Sequence, residues 1–327
     1  MNYGELIGDA FGITLRNRYL WFFGFFASGS TGFTFPTNFS SGGNFNPDDF
    51  RQSSTMLSAV QVGQWLSNRV IIAGLVVVAL ILALFFIFMA IVSQGALADS
   101  VAAIDRGDRR RFGSAFRSGM GNFWLVLGYF VVFFLIAIGL LLVIGIPVAI
   151  LIGGTFAATQ SVGARITVAV VVGLLAVCAL ILVFIPLSIV GQYALREIVV
   201  RRERIFGSVG SGYGLFRRNI GRSLLIWLIQ LGLSIGIAIV FILAVLIVGL
   251  VLFIPTIALA AAGLSTAAIA AGVIAAVILI PLLLVATGAM GTFSHSYWTL
   301  AYLRLMAPPT TAPSPYPTTG QDGQTKE

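Results

Sequence analysis

Charged side chains are scarce in this sequence. Asp, Glu, Lys and Arg make up 9% of the 327 residues, whereas a soluble domain contains about 25%. Hydrophobic residues account for 58% of the chain, and the mean hydropathy is +1.02. This composition excludes an ordinary soluble domain and predicts an all-α integral membrane protein.

Residues that usually carry catalysis or bind metals are also rare. Cys178 is the only cysteine, which excludes an internal disulfide and a cysteine-based metal cluster; we expect a small buried hydrophobic residue. His295 is the only histidine; we expect a hydrogen-bonded interface residue, with a ligand or proton relay as the alternative. Phosphate-binding loop, nucleophile-elbow and zinc-site motifs are all missing. We therefore predict no enzymatic activity, no cofactor and no metal site.

Long apolar stretches take the place of these groups. A membrane-spanning helix needs about 20 apolar residues. Spans are predicted at Val70–Val92, within Phe123–Ile152, and at Ile166–Val190, Leu224–Leu252 and Ala270–Thr292. Gly263 and Ser265 supply the break between the last two. A shorter stretch, Tyr19–Phe35, is aromatic and rich in Gly and Ser; we predict the first of six spans there, with an aromatic interfacial segment as the alternative.

The basic residues predict the orientation of these spans. With six spans, 16 of the 19 Lys and Arg residues fall on the side of both termini. Only Arg51, Arg69 and Arg165 fall on the other side. Because Lys and Arg in short loops face the cytoplasm, both termini are predicted to be cytoplasmic. Loops that face anionic lipid also explain the net charge of +8, so no nucleic-acid partner is predicted.

Two charged segments, Ser93–Phe116 and Val190–Tyr213, interrupt the apolar sequence with residue types in the same order. Each runs from Gln-x-Ala-Leu through an acidic residue and Val to an Arg cluster and Phe-Gly-Ser. Bulky apolar residues then recur every three or four positions, which predicts amphipathic helices in the membrane interface. The positions are Phe112, Phe116, Met120 and Phe123; Ile205, Val209, Tyr213, Phe216 and Ile220; and, in a fainter N-terminal copy, Ile7, Phe11 and Leu15.

These patterns predict three repeated units, each a cytoplasmic amphipathic helix followed by a transmembrane hairpin. The units cover residues of about 1–98, 99–196 and 197–306, in one polytopic membrane domain over residues 1–306. The tail, residues 307–327, is rich in Pro and Thr and lacks an apolar period, so we expect a disordered cytoplasmic tail.

The repeated units also supply the candidate site residues. Ten arginines are predicted to contact anionic lipid headgroups: Arg109, Arg110, Arg111, Arg117, Arg201, Arg202, Arg204, Arg217, Arg218 and Arg222. Four prolines inside the apolar stretches predict helix kinks, with freed carbonyl groups along a pathway as the alternative: Pro147, Pro186, Pro255 and Pro281. Gly232 and Gly236 form a GxxxG pattern that predicts a close helix contact.

The sequence resembles a group of bacterial membrane-protein families that includes the membrane region of glycerophosphodiester phosphodiesterases. The matching stretches are the opening FGITLRNRYLW, the loops that contain the two charged segments, and the ending SYWTLAYLRL. The resemblance covers roughly residues 1–306 and implies a six-span helical fold in the bacterial cytoplasmic membrane. It does not imply phosphodiesterase activity, since that activity resides in a separate catalytic barrel and only a short tail follows residue 306.

We therefore predict a non-catalytic membrane scaffold or regulatory subunit. Its Arg-rich interfacial helices are expected to contact anionic lipid headgroups or a membrane-protein partner. The alternative is a transporter or channel for an apolar or lipid-like substrate. The lack of Asp, Glu, Lys or Arg deep in the predicted spans argues against a proton-coupled transporter.

Overall fold

Helices make up nearly all of the described chain. The computed structural model describes residues 2–28 and 69–307. Within those two ranges it contains nine helices and no strand: α1 Tyr3–Arg16, α2 Leu20–Ala27, α3 Arg69–Asp105, α4 Phe112–Gly121, α5 Phe123–Ala158, α6 Val162–Arg201, α7 Ile205–Arg218, α8 Ile220–Ala261 and α9 Ser265–Met306. The predicted tail lies outside the described residues, apart from residue 307.

Five of these helices, α3, α5, α6, α8 and α9, are long and apolar enough to cross a membrane. They contain 36 to 42 residues each. At 1.5 Å per residue they are about 54–63 Å long, nearly twice the thickness of a hydrocarbon core. Each helix therefore has enough length to leave the hydrocarbon and continue beyond it.

The predicted spans lie inside these helices, but the helices extend further. For example, α3 continues from the predicted end at Val92 to Asp105. The predicted break between the last two spans is confirmed, because α8 ends at Ala261 and Gly263 has a φ of +77°. The predicted first span corresponds in part to α2, which has eight residues. The remainder of that prediction, from residue 29 onward, lies outside the described residues.

The buried core lies at one end of the bundle, where the carboxy-terminal parts of α3, α6 and α9 meet. Every residue of Gly291–Tyr302 is buried, and so are most residues of Ile91–Ala103 and Ile189–Val199. At most 17% of any of the five apolar windows is buried. The long helices therefore pack together mainly at this end and leave apolar surface along the rest of their length.

The short helices pack against this end through small residues. Gly119 of α4 lies so close to α3 that an added Cβ would overlap the Val92 carbonyl oxygen. Gly212 of α7 lies against α6, where a Cβ would come within 3.1 Å of the Val190 oxygen. The buried residues of α1 are Leu6, Ala10 and Thr14. Of the bulky stripes visible in the sequence, Phe216 of α7 is buried in the contact, whereas Phe11, Leu15, Phe112, Met120 and Tyr213 are exposed.

Two further sequence predictions are wrong. Gly232 and Gly236 have no atom within 4 Å of an added Cβ, so the predicted GxxxG contact is missing from the described chain. Cys178 is exposed rather than buried, because the middle of α6 makes few contacts with other helices. On a membrane helix, an apolar neighbourhood in sequence identifies lipid-facing surface as readily as a protein core.

Candidate functional site

A pocket of about 520 Å³ opens beside the buried core. It lies where the end of α3, the turn after it, helix α4, the start of α5 and the turn between α6 and α7 come together. The lining residues are Asp99, Arg110, Ser114, Arg117, Ser118, Gly121, Asn122, Leu125 and Arg202. We call it the arginine pocket, since guanidinium groups from two distant parts of the sequence meet there.

Asp99 fixes one side of the arginine pocket. Its Oδ2 atom lies 3.2 Å from a terminal nitrogen of Arg110. The same oxygen accepts a hydrogen bond of 2.7 Å from the Ser118 hydroxyl. The side chains of Arg110 and Asp99 are 24% and 21% exposed, so this ion pair is less screened by water than a surface pair. Arg110 is consequently held at the pocket wall.

The other two arginines are available to a ligand. Arg117 and Arg202 are exposed, and neither side chain forms an ion pair or hydrogen bond within residues 2–28 and 69–307. Arg202 ends α6 with a left-handed φ of 55°. Non-glycine residues in this region cost about 1–3 kcal/mol, and such strain is common at functional sites. This backbone turn places Arg202 in the lining of the pocket.

The pocket contains three of the ten arginines predicted to contact headgroups. Arg201 lies outside it and pairs with Glu197 at 3.8 Å. The other six are exposed, and the pocket lining does not include them: Arg109, Arg111, Arg204, Arg217, Arg218 and Arg222. These six arginines do not line a common pocket in the described part of the chain.

Arg196 is a buried residue that the sequence did not single out. Its side chain is fully buried, and one terminal nitrogen donates to the Gln192 carbonyl at 2.8 Å and to the Gln192 side-chain oxygen. Its other two nitrogens have no hydrogen-bond partner in the described chain. The available signal was spacing, because Ile189, Tyr193 and Arg196 follow one another at helical steps of four and three.

A family model matches residues 19–308 of the chain, which is most of its length. The chain belongs to a family of unknown function, DUF7544. Among curated proteins and solved structures, none matches it. The part that matches DUF7544 contains the arginine pocket and Arg196. The match shows no link to glycerophosphodiester phosphodiesterases, so that resemblance stays a prediction.

His295 lies in the buried core of the bundle, within the region that matches DUF7544, and its side chain is fully buried. Its Nε2 atom is 3.4 Å from the Ala27 carbonyl oxygen, which ties α9 to α2. Nearby, the Gln230 amide donates a 3.0 Å hydrogen bond to the Ser294 hydroxyl and joins α8 to α9. No group of three or more His, Cys, Asp or Glu side chains placed to hold a metal occurs among the described residues. The visible contacts of His295 are thus contacts between helices.

The four prolines lie inside long helices of the DUF7544 region. Pro147 is in α5, Pro186 in α6, Pro255 in α8 and Pro281 in α9. Each helix continues past its proline. None of the four lines the arginine pocket, and their role as kinks stays a prediction.

Proposed function

We propose that this chain is a non-catalytic membrane scaffold or regulatory subunit that holds anionic lipid headgroups at the cytoplasmic face of a bacterial plasma membrane. The observation that carries the proposal is the arginine pocket. It gathers Arg110, Arg117 and Arg202 at the end of long apolar helices. Basic residues near an anionic membrane surface attract its lipids by about 1 kcal/mol each.

The outer faces of the short helices α1, α4 and α7 support the proposed position of the pocket at the membrane surface. Bulky apolar residues there are exposed in large part: Phe11 is 56% exposed, Phe112 44%, Phe206 81% and Tyr213 55%. Phe11 and Phe112 also contact the rings of Phe293 and Phe23 with part of their surface. The packed faces contain mainly small residues, with Leu6 of α1 and Phe216 of α7 as the large ones. We propose that α1, α4 and α7 are amphipathic helices that lie in the interface with these aromatic residues among the acyl chains.

The proposal includes six spans in three repeated units, with both termini in the cytoplasm. Its support is a recurring packing relation, since α4 packs on the end of α3, α7 on the end of α6 and α1 on the end of α9. The ends of α3 and α6 contain the beginnings of the two charged segments, and the end of α9 contains SYWTLAYLRL. The sixth span, Tyr19–Phe35, is part of the proposal.

Single-cysteine labelling tests the topology, because Cys178→Ser leaves the chain without cysteine. A membrane-impermeant thiol reagent applied to intact cells should label cysteines at Gln160 and Ser265. A cysteine at Asp108 should react only after the membrane is permeabilised. A cysteine at Asn46 should behave like Gln160. A cysteine at Asn2, before the first predicted span, should behave like Asp108. If the cysteines at Asn2 and Asn46 react alike, Tyr19–Phe35 does not cross and the six-span part of the proposal is wrong.

Lipid retention by the purified chain tests the headgroup proposal. Replacing Arg110, Arg117 and Arg202 together by Gln should reduce the affinity for anionic lipid by roughly 100-fold, since each contact contributes about 1 kcal/mol. The measurement is native mass spectrometry of the detergent-solubilised protein titrated with phosphatidylglycerol and phosphatidylcholine.

The matched control replaces Arg109, Arg111 and Arg204 by Gln. It changes the net charge by the same amount, but these residues lie outside the pocket. The control should retain anionic lipid almost as well as the unmodified chain. An equal loss in both triple variants would mean that the arginines act only as diffuse surface charge, and the pocket would have no role in lipid binding.

A further inference from the structure

The charge of the arginine pocket indicates which anion it fits. The lining contains three arginines and one carboxylate, Asp99, which leaves a formal charge of +2. A phosphate monoester carries about −1.5 to −2 charges at pH 7. A phosphodiester headgroup carries only one negative charge on its phosphate. A monoester therefore neutralises the pocket, whereas a diester leaves it positively charged.

The residues that line the pocket suit the same group. Guanidinium groups bind phosphate oxygens through paired hydrogen bonds, and Arg117 and Arg202 have no competing partner in the described chain. The volume of about 520 Å³ exceeds that of a phosphate alone and falls in the range of small-ligand sites. Leu125 gives the lining an apolar side chain at the start of α5, where the uncharged part of a ligand would lie.

From these observations we infer that the arginine pocket is a binding site for a phosphate monoester. Phosphatidic acid in the membrane and a soluble phosphorylated compound both supply this group. The inference rests on the proposed function, because it uses the same three arginines to contact the bound group. It goes further by naming the chemical class that the pocket selects.

Asp99 has a specific part in this inference. Its carboxylate occupies Arg110 at 3.2 Å and would repel an incoming phosphate. A ligand therefore competes with Asp99 for the Arg110 guanidinium. Asp99→Asn removes that competition while it keeps an oxygen to accept the hydrogen bond from Ser118. If Asp99 had only a structural role, the same substitution would weaken the pocket and reduce binding.

The experiment uses the full chain in nanodiscs of phosphatidylcholine that contain a small fraction of either phosphatidic acid or phosphatidylglycerol. Native mass spectrometry measures how many of each lipid stay bound. We expect phosphatidic acid to bind about fivefold more tightly than phosphatidylglycerol, because one additional charge contact contributes about 1 kcal/mol. Asp99→Asn should strengthen phosphatidic acid binding, and Arg117→Gln with Arg202→Gln should remove the preference.

A competition arm separates the two sources of the monoester. Glycerol 3-phosphate should displace phosphatidic acid if the phosphate group alone is sufficient, which assigns the site to soluble compounds. If millimolar glycerol 3-phosphate does not displace the lipid, the site is assigned to phosphatidic acid in the membrane. Either result supports a monoester site.

Three results would contradict the inference, and they differ in what else they affect. Equal, pocket-dependent binding of phosphatidylglycerol and phosphatidic acid would remove the monoester selectivity but leave the proposed function intact. Binding of both lipids that is unchanged by Arg117→Gln and Arg202→Gln would remove both the inference and the proposed function. Weaker phosphatidic acid binding by Asp99→Asn would show that Asp99 builds the site rather than competing for it.

Discussion

Adding a single methyl group at Gly24 is expected to destabilise the protein strongly. A Cβ at Gly24 of α2 would overlap the Gly288 carbonyl oxygen and the Thr292 backbone nitrogen of α9. From the other side, a Cβ at Gly291 would overlap the Gly24 carbonyl oxygen. These are backbone atoms of two helices, so no side-chain rotation relieves the overlap. The Thr292 hydroxyl, 2.9 Å from the Leu20 carbonyl oxygen, is held in the same contact.

Overpacking a core typically costs about 1–3 kcal/mol, and more when backbone has to move. Gly24→Ala should therefore lower the melting temperature of the detergent-solubilised protein, measured by fluorescence-detected size-exclusion chromatography after heating. The matched control is Gly236→Ala in α8, where an added Cβ meets no atom within 4 Å. There the better helix propensity of Ala should stabilise the chain by up to about 1 kcal/mol. Equal melting temperatures for the two variants would show that α2 does not pack on α9 in this way.

Arg196 should give opposite results with two different replacements. Arg196→Ala is expected to be strongly destabilising, whereas Arg196→Met should be as stable as the unmodified chain or more so. Arg196 is among the largest fully buried side chains, so truncation leaves a cavity that costs about 2–5 kcal/mol by analogy with large-to-small core substitutions. Met retains most of the volume of the side-chain stem and removes the charge.

The charge itself should not stabilise the fold. In the described residues Arg196 forms no ion pair, and two of its nitrogens have no hydrogen-bond partner. Taking a charge out of water carries a cost of several kcal/mol, which good pairing has to offset. Melting temperatures of the two variants test this, with the exposed Arg218→Ala as a control that should change little. If Arg196→Met is as unstable as Arg196→Ala, the guanidinium makes essential contacts.

The long helices could be predicted from the sequence because apolar stretches of 20 residues or more dominate any local signal. Their ends could not be predicted in the same way. Asp99 and Arg196 suggest that a helix has ended, yet α3 and α6 continue through them. Both residues lie where three long helices meet. Contacts with remote parts of the chain stabilise the helical conformation of α3 and α6 at these positions. Local sequence does not record those contacts.

The arginine pocket illustrates the same limit. Each arginine cluster was visible, but its members could not be sorted into pocket and surface. Arg202 joins Arg110 and Arg117 only because α3 packs on α6. The short helices were also recognised by their bulky stripes, whereas their contacts use Ala10, Gly119 and Gly212. Small residues permit close approach between membrane helices. Because their hydropathy is weak, a search for apolar periodicity does not identify the helix face that they form.

The most direct test of the headgroup site is photo-crosslinking with a phosphatidic acid analogue that carries the photoreactive group next to its phosphate. The full chain in nanodiscs would be irradiated, digested and analysed by mass spectrometry. Crosslinks are expected on the peptide that spans residues 112–125 and on the peptide that follows Arg202, and excess unlabelled phosphatidic acid should suppress them. Crosslinks spread evenly along α5, α6 and α8, or crosslinks unchanged when Arg110, Arg117 and Arg202 are replaced by Gln, would contradict a headgroup site in the arginine pocket.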